Sequence, residues 1–530
     1  MRVQLKNPQT QSLKHRFMFP SLFMGRFCSQ VLALITLLLL LDNSDVCLCK
    51  NSTSICIEQE REVLLQLRQS LLDPLHLLSS WKGEDCCRWR GVTCDEVYGH
   101  VIELQFIPQT VRGENGTVVI PIEEKLSIAG KLNSSLLNNG TVVIPVENKL
   151  SIAGKLNSSL VNLRYLNYLD LSGIDFKHGG IPVFLGSMKQ LRYLNLSFGN
   201  FYGAVPQQLG NLTELEVLDL RDHNGNLFVN DIQWVSYLRS LNYLDMSGLN
   251  FTGYGDLMQV INMLPSLSHL GLSACGLGNF HLSSIFLANS TSLVHLQYLD
   301  LSTNFLEGPI AKAMFHNMTS LQYLDLSRNS FNSSIPMWFD KLTSLVHLNL
   351  EGNLFLGIEG GLFSFLKCKK YLKSLRLCGN QIREEISTSQ RNSSRFTENN
   401  LESLVVCNNY LSGALPNWLV NYTLLRYLDL RSNFFSGPIP RVMGELSNLV
   451  TIDLSHNQLY GTIPLLLGQL SSLRSLDLSY NQFSGHIPQS LGQLRALQDL
   501  SLNSNHLNGT IPVVLESFPI CRFCIFLTIL

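Results

Sequence analysis

A 24-residue period dominates this chain of 530 residues and is plainest between positions 425 and 505. Three successive units read LRYLDLRSNFFSGPIPRVMGELSN, LVTIDLSHNQLYGTIPLLLGQLSS and LRSLDLSYNQFSGHIPQSLGQLRA. A fixed period between about 20 and 50 residues indicates stacked supersecondary units, each in contact only with its neighbours. The period therefore predicts one elongated repeat domain, whose function lies on a surface and not in a closed pocket.

The pattern LxxLxLxxN predicts an α/β repeat solenoid in which the first, fourth and sixth residues point inward. The short strand between them should pair in parallel with its neighbours, which gives a curved array with a parallel concave sheet. About fourteen such repeats fill residues 166–515. They begin at Leu166, Leu191, Leu215, Leu241, Leu267, Leu296, Leu321, Leu345, Leu372, Leu401, Leu425, Leu449, Leu473 and Leu497.

The ninth residue of the unit is asparagine in most repeats, where its side chain should satisfy buried backbone groups at the turn. Cys275 occupies the same position, and we expect a free structural thiol there. The asparagines are Asn304, Asn329, Asn353, Asn380, Asn409, Asn433, Asn457, Asn481 and Asn505.

The first 49 residues have the features of a secretory signal peptide with an unusually long basic n-region. Several Lys and Arg residues precede the apolar run VLALITLLLLL, which is too short to span a bilayer. The chain has a net charge of -1, from 39 basic and 40 acidic residues. A charge balance of this kind argues against a nucleic-acid partner.

A high density of N-x-S/T sequons follows the signal segment and predicts a glycosylated chain in the secretory pathway. Asn195 is excepted, because it lies within a repeat strand between inward-facing leucines and should be poorly accessible. The predicted glycosylation sites are Asn51, Asn115, Asn133, Asn139, Asn157, Asn211, Asn250, Asn289, Asn317, Asn332, Asn392, Asn421 and Asn508.

Residues 50–100 precede the repeats and predict a cap stapled by disulfides over the first repeat. An amphipathic helix follows Cys56, and the segment SSWKGEDCCRWRGVTC follows the helix. Spacing favours the pairs Cys56 with Cys86 and Cys87 with Cys94, because a bond between adjacent cysteines would be strained. A zinc site is the alternative, although these cysteines lack the usual ligand spacing.

These motifs carry a resemblance to a known family. The run EREVLLQLRQSLLDP, followed by LSSW, DCCRWRGVTC and GHVIEL, resembles the N-terminal cap of plant leucine-rich-repeat receptors. The repeats resemble the plant extracellular subclass, LxxLxLxxNxLxGxIPxxLGxL, and the match runs from Cys56 to Leu515. The chain is identified as a member of the leucine-rich-repeat receptor-like proteins of plant cell surfaces, which have no kinase domain.

The resemblance implies a plasma-membrane protein that recognises an extracellular peptide, protein or glycan ligand. It also implies a co-receptor kinase as a signalling partner, in defence or development. Two alternatives stay open at this point. One is a protein secreted to the apoplast that inhibits cell-wall-degrading enzymes, and the other is a nonfunctional truncated receptor fragment.

Recognition is expected on the third, fifth, seventh and eighth residues of each strand unit, which face the concave side. The third residues form a ladder of aromatic rings, either as a contact surface or as packing between strands. Its members are Tyr168, Tyr193, Tyr243, Tyr298, Tyr323 and Tyr427, with His269 and His347. The seventh and eighth residues vary most, and variation on a constant scaffold favours specificity. The predicted ligand-binding residues are Arg328, Glu351, Arg431, His456 and Tyr480.

The aspartates that recur at the fifth position, such as Asp245 and Asp325, are interpreted as scaffold and not as catalytic acids. The sequence contains no kinase signature, P-loop, HExxH, GxSxG or dinucleotide motif, so we expect neither catalysis nor a cofactor or metal. Cys378 and Cys407 occupy the seventh position of adjacent repeats and could form a disulfide, with Cys368 as a competing partner.

Two segments depart from the regular pattern. Residues 101–165 are interpreted as degenerate repeats, in which NGTVVIPIEEKLSIAGKLNSSLL recurs 24 residues later as NGTVVIPVENKLSIAGKLNSSLV. Residues 516–530 form a short apolar tail without the polar cap that a terminal repeat needs, which indicates a product truncated at its C-terminus.

Overall fold

The computed structural model describes residues 56–74, 76–106, 152–222, 224–251, 257–278, 292–310, 315, 318–386 and 400–512, and five short strands outside these ranges. The chain divides into two units, Met1–Thr53 and Ser54–Leu530, and every described residue belongs to the second. The predicted signal segment, residues 1–49, lies outside the described residues.

One long parallel sheet runs through the second unit and confirms the predicted solenoid fold. Each LxxLxLxxN unit contributes a three-residue strand whose middle residue is buried, and like positions of neighbouring units lie side by side, as Tyr168 does with Tyr193. The repeat strands are Tyr168–Asp170, Tyr193–Asn195, Val217–Asp219, Tyr243–Asp245, His269–Gly271, Tyr298–Asp300, Tyr323–Asp325, His347–Asn349, Ser374–Arg376, Ser403–Val405, Tyr427–Asp429, Thr451–Asp453, Ser475–Asp477 and Asp499–Ser501.

The leucines that define the period form the core. Leu191, Leu194 and Leu196 of the second unit are almost wholly buried, and the equivalent residues of the other units are too. Burying a leucine side chain stabilises the fold by about 1.5 to 3 kcal/mol, so every unit contributes to a single continuous core. Repetition of this small set of contacts explains why the fold follows directly from the leucine spacing.

Short helical turns line the side of the units opposite the long sheet. Many of them follow a proline, whose fixed φ suits the residue before a helical turn, as Pro464 does before Leu465–Gln469. The 3-10 turns are Cys86–Arg88, Ser158–Asn162, Val183–Ser187, Gln207–Asn211, Gln233–Tyr237, Ser292–His295, Met337–Lys341, Asn417–Asn421, Arg441–Glu445, Leu465–Gln469 and Gln489–Gln493. The α-helices of the described residues are Glu58–Gln69, Leu257–Ile261 and Gly361–Lys367.

Smaller parallel sheets form on the flank, at the GxIP elements. Six strands make the longest of them, namely Glu385–Ile386, Ser412–Ala414, Phe434–Gly437, Gln458–Gly461, Gln482–His486 and His506–Asn508. Three more make a second sheet, Gly203–Ala204, Leu227–Val229 and Asn250–Phe251. Two strand pairs complete the flank, Glu307–Gly308 with Ser330–Phe331 and Ser334–Ile335 with Gly357–Ile358.

The N-terminal cap is a helix and a hairpin held by two disulfides. Helix Glu58–Gln69 buries Val63, Leu64 and Leu67 against the core. The bonds join Cys56 to Cys86 and Cys87 to Cys94, so the pairing predicted from spacing is confirmed. The zinc alternative is excluded, because all four sulfurs are taken up in these bonds.

The cap hairpin joins the long sheet directly. Strand Val92–Cys94 pairs antiparallel with Val101–Gln105, which in turn pairs in parallel with Tyr168–Asp170. Val101–Gln105 and Tyr168–Asp170 are thus direct neighbours in the long sheet, although they lie far apart in the sequence. Strands Val111–Arg112, Val118–Ile120, Leu137–Asn138 and Thr141–Ile144 form an antiparallel sheet of their own.

Ile152 is buried in the core of the solenoid. Ala153–Gly154 pairs antiparallel with Leu71–Leu72 at the end of the cap helix. At the other end of the long sheet, Phe523–Ile525 pairs in parallel with Asp499–Ser501. The boundaries proposed at residues 50–100, 101–165, 166–515 and 516–530 stay predictions.

Candidate ligand-binding face

The concave face is defined here as the face of the long sheet that carries the third, fifth, seventh and eighth residues of each unit. Side chains alternate along a strand, so burial of the leucine at position four places positions three and five on the opposite side. In the fourth unit, for example, Leu244 is buried in the core, and its neighbours Tyr243 and Asp245 lie on the other face of the sheet. The register of the sheet then aligns equivalent side chains into rows.

Five third-position rings form a continuous row, named here the aromatic stack: Tyr243, His269, Tyr298, Tyr323 and His347. Successive ring centroids lie 4.0, 4.0, 4.3 and 6.1 Å apart. The first three pairs are within 12° of parallel, and the last pair is tilted by 47°. Since each ring is braced by its neighbour, the stack is a rigid surface that loses little entropy when a ligand binds.

His269 lies in this stack as a neutral ring. Burial between its neighbours, together with the positive charge of Arg221, lowers the pKa of His269 to about 4. Its Nε2 lies 4.0 Å from Oδ2 of Asp245 and, within the described part of the chain, makes no hydrogen bond. The His269 ring therefore stays neutral at neutral pH.

The aspartates of the fifth position brace the turn that follows each strand. Oδ1 of Asp325 accepts a hydrogen bond from the backbone N–H of Ser327 at 2.8 Å, and the Tyr323 hydroxyl donates to Oδ2 at 3.3 Å. Asp245 makes the same backbone contact with Ser247 at 2.9 Å. Carboxylates with these fixed partners support the scaffold interpretation over a catalytic one.

Arg221 places a fixed positive charge on the concave face beside the aromatic stack. Its Nη2 lies 2.5 Å from Oδ2 of Asp219, and its Nε lies 3.4 Å from Oδ2 of Asp245. The guanidinium also lies over the Phe198 ring, 5.7 Å from the centroid. About a third of the side chain stays exposed, so the group is both held in place and open to a ligand.

The five residues predicted to bind ligand fall into two patches. Arg328 and Glu351 lie in adjacent units and form the first patch, where the Arg328 N–H donates to the Glu351 carbonyl at 2.7 Å. Arg431, His456 and Tyr480 lie in three consecutive units and form the second. In this second patch the His456 and Tyr480 rings stack with centroids 4.1 Å apart. Their role in binding stays a prediction.

Ion pairs restrain the charged members of both patches. Glu351 Oε2 lies 2.8 Å from an Nη of Arg376, and Arg431 Nη1 lies 3.3 Å from Oδ2 of Asp453. Both arginines are about half exposed, so these pairs are of the weak surface kind. A ligand could replace the partner in either ion pair at little cost in free energy.

A disulfide between Cys378 and Cys407 separates the two patches, with the Cα atoms 4.5 Å apart. The sequence left the partner open, and the structure selects this pair while Cys368 is free and exposed. In the part of the chain that the structure describes, the side chains grouped closely enough to hold a metal ion are these two cysteines with Asp429, and three cap cysteines. Both groups are committed to disulfides and offer no thiolate for a metal.

The ninth-position ladder is scaffold, as predicted. Asn329 accepts from the Leu306 N–H at 3.0 Å and donates to the carbonyls of Leu301 and Leu326 at 2.9 and 3.1 Å. Cys275 replaces asparagine once, and its buried free thiol donates to the Met246 carbonyl at 3.2 Å. Burial raises the pKa of this thiol, so it stays protonated.

The described sequons differ in accessibility. Asn195 is buried, and its Oδ1 accepts from the Ser197 N–H at 3.0 Å. Exposed asparagines are Asn211, Asn250, Asn332 and Asn508, and half-buried ones are Asn157 and Asn421. The remaining predicted sites lie outside the described residues, namely Asn51, Asn115, Asn133, Asn139, Asn289, Asn317 and Asn392. Use of any of these sites stays a prediction.

Comparison with known proteins agrees with this architecture. A family model described as the leucine rich repeat N-terminal domain matches residues 57–95, and leucine rich repeat models match residues 294–355, 399–459 and 472–494. The chain is 36% identical to "Receptor-like protein EIX1" of Solanum lycopersicum over 333 residues, 62% of this chain and 29% of that protein. The chain is similar to the plant leucine-rich-repeat receptor-like proteins and carries the leucine-rich-repeat N-terminal domain and repeats.

Further relatives extend this assignment. Identity to "Receptor-like protein EIX2" of Solanum lycopersicum is 35% over 310 residues, covering 58% of this chain and 27% of that protein. "Receptor like protein 21" of Arabidopsis thaliana is 30% identical over 210 residues, 37% of this chain and 20% of the relative. In each case the match covers less than a third of the relative's own length.

Solved structures with the same fold include plant receptors. "Plant peptide hormone receptor RGFR1 in complex with RGF2" superposes with a TM-score of 0.58 at 27% identity, over 82% of this chain and 63% of that one. "Crystal structure of a TDR receptor" gives a TM-score of 0.60 at 28% identity, over 70% and 62%. Among the described residues of this receptor-like chain, no helix is both long enough and apolar enough to cross a membrane.

The sequence placed His269 and His347 with the tyrosines in one ladder at the third position, and their rings do lie against those of the neighbouring tyrosines. One feature of the site was not predicted, namely that carboxylates of two units hold Arg221, since that depends on side-chain orientation.

Proposed function

We propose that this chain is the ligand-recognising part of a cell-surface receptor, and that the aromatic stack contacts an extended segment of an extracellular peptide or protein. The observation that carries this proposal is the row of five braced rings on an otherwise polar face. Five strands spaced about 4.8 Å apart place the outer rings about 19 Å apart, which is the length of about six residues of extended chain.

The chemistry of the stack suits a peptide segment. Stacked rings turn their faces to one another, so the ligand would meet the ring edges, while the Tyr243 and Tyr323 hydroxyls donate to Asp245 and Asp325. Large rigid aromatics and arginines are the residues that most often dominate binding energy at protein interfaces. Arg221 and Arg328 lie in units on or beside the stack, which favours a ligand with acidic groups near the stacked segment.

The similarity to receptor-like proteins, and to a receptor solved with a peptide hormone, supports this proposal. We further propose that the receptor acts at the plasma membrane or in the apoplast, in defence or development, through a partner kinase. The chain would then have no catalytic role of its own. The statements on location and signalling rest on the family resemblance. The statement on catalysis rests also on the fifth-position aspartates, whose carboxylates accept hydrogen bonds from backbone N–H groups of the turns.

The test uses the full chain, secreted from insect cells, and a phage-displayed library of random 12-residue peptides. We expect enriched peptides whose affinity falls at least about tenfold in Tyr298→Ala, as is usual for an interface anchor. Tyr237→Ala is the matched control, because Tyr237 is exposed on a helical turn away from the sheet. Failure to enrich any peptide, or equal affinity in both variants, would contradict the proposal.

A further inference from the structure

A cleft lies at the junction of the cap and the first two repeats, away from the aromatic stack. We name it the cap cleft. It has a volume of about 570 Å³, which falls in the range of small-molecule sites. Its principal lining residues are Tyr98, His100, Tyr165, Asn167, Gln190 and Arg192.

The aromatic wall of the cleft is fixed from beneath by the cap helix. Buried Glu60 accepts from the Val101 N–H at 2.7 Å, and its other oxygen lies 3.0 Å from Nδ1 of His100. The His100 ring in turn stacks on Tyr165 with centroids 3.8 Å apart. Tyr165 is therefore held in place although 53% of it is exposed.

The second wall is a turn that presents Tyr98 to the solvent. Asp95 accepts hydrogen bonds from the backbone N–H groups of Val97, Tyr98 and His100 at 3.1, 2.7 and 2.7 Å. These bonds lower the pKa of Asp95 and fix the turn, yet Tyr98 is 74% exposed. A tyrosine ring held on a rigid turn loses little conformational entropy when a ligand binds. It also gains apolar contact when the ligand covers it.

Charge is balanced within the cleft, and its free polar groups are neutral. Arg192 is paired with Glu216 at 3.3 Å, and Asp95 is engaged by three amides. The side chains of Asn167 and Gln190 make no hydrogen bond to any described part of the protein. Each primary amide offers two donors and one acceptor, which matches hydroxyl groups that both donate and accept.

We propose that the cap cleft binds a neutral oligosaccharide. Tyr98 and Tyr165 would cover the apolar C–H faces of a sugar ring, while the amides of Asn167 and Gln190 would bond to its hydroxyls. An anionic ligand would meet the carboxylate of Asp95, which also lines this cleft, and would have to displace Glu216 from Arg192. A peptide fits less well, because the cleft lacks a strand edge that would pair with its backbone N–H and C=O groups.

The test measures binding of four neutral glycans to the full chain by calorimetry and saturation-transfer NMR. Cellohexaose, xylohexaose and chitohexaose represent wall polysaccharides, and a Man9 glycan represents glycoproteins, so the glycan that binds identifies the source. We expect at least one to bind, and Tyr98→Ala and Asn167→Ala each to weaken it about fivefold or more. Both side chains are free of internal hydrogen bonds, so the thermal midpoint should not change.

Tyr237→Ala is again the matched control and should bind the glycan like the wild type. Tyr298→Ala should also leave glycan binding unchanged, which separates this site from the aromatic stack and keeps failure of one proposal distinct from failure of the other. The proposal is overturned if no glycan binds at about 5 mM, a concentration at which even a weak site is occupied. The proposal is equally overturned if glycan binding survives both cleft substitutions. It is also overturned if peptides with aromatic side chains, and no glycan, bind at Tyr98.

Discussion

The asparagine ladder offers the sharpest test of how the scaffold is held, and Asn329 is its best-defined member. The side chain is buried, its Oδ1 accepts from the Leu306 N–H, and its Nδ2 donates to the Leu301 carbonyl of the preceding unit. A change of Asn329 to leucine keeps the number and branching of the side-chain heavy atoms but removes every one of these hydrogen bonds. The N–H of Leu306 is then left in the core without a hydrogen bond, whereas the Leu301 carbonyl still accepts from Nδ2 of Asn304 at 3.0 Å.

A buried backbone group that loses its partner costs about 1 to 3 kcal/mol, so the unpaired Leu306 N–H predicts a loss of about 2 kcal/mol. The assay is amide hydrogen exchange, which gives the free energy of the local opening that exposes the Leu306 N–H. Asn448→Leu is the control, since Asn448 is exposed and donates only to the Thr423 carbonyl, and it should cost below about 1 kcal/mol. A loss at Asn329 no larger than in this control would refute the reasoning.

Two further changes test the concave face. Removing the disulfide with Cys378→Ser and Cys407→Ser should lower the free energy of unfolding in urea by about 3 to 4 kcal/mol, because a loop of 29 residues is released. The control Cys368→Ser removes a free thiol and should leave the free energy of unfolding unchanged. For His269, burial and Arg221 lower the pKa to about 4 from 6.5, so its stabilising contribution is complete above pH 6.5 and is lost as the pH falls toward 4. Wild type should therefore lose about 2 kcal/mol more than His269→Gln between pH 7 and 4.5, and parallel stability curves would contradict this.

The solenoid follows from the sequence because its determinants are local and repeated. Leucines at fixed spacing specify the strand, asparagine specifies the turn, and proline precedes many of the helical turns. Cap disulfides could also be predicted, since Cys86 and Cys87 are adjacent and must each find a distant partner. None of these inferences needs knowledge of the neighbouring units.

The features that escaped prediction depend on contacts between units. The direct pairing of Val101–Gln105 with Tyr168–Asp170 joins strands that lie far apart in the sequence, while the interpretation of residues 101–165 as degenerate repeats stays a prediction. Both copies of the duplication within these residues lack the LxxLxL leucines that would drive a strand into the sheet. Likewise, the partner of Cys378 became clear only when the register placed the strand of Cys407 beside it.

The neutral state of His269 could not be predicted either. It requires two stacked tyrosines and a nearby guanidinium, which come from three different units. For the same reason the cap cleft had no signature in the sequence, because its rings come from the cap hairpin and from the approach to the first repeat strand. Sequence patterns specify each unit, while these sites arise where units meet.

Site-specific crosslinking tests most directly the central claim that the aromatic stack holds the ligand. The photoreactive residue benzoylphenylalanine is placed at position 298 in one preparation and at position 237 in another, and each is irradiated with a peptide selected for binding. The account predicts a covalent adduct from the chain modified at Tyr298 and none from the chain modified at Tyr237. An adduct at position 237, or no adduct at position 298 while binding persists, would contradict it.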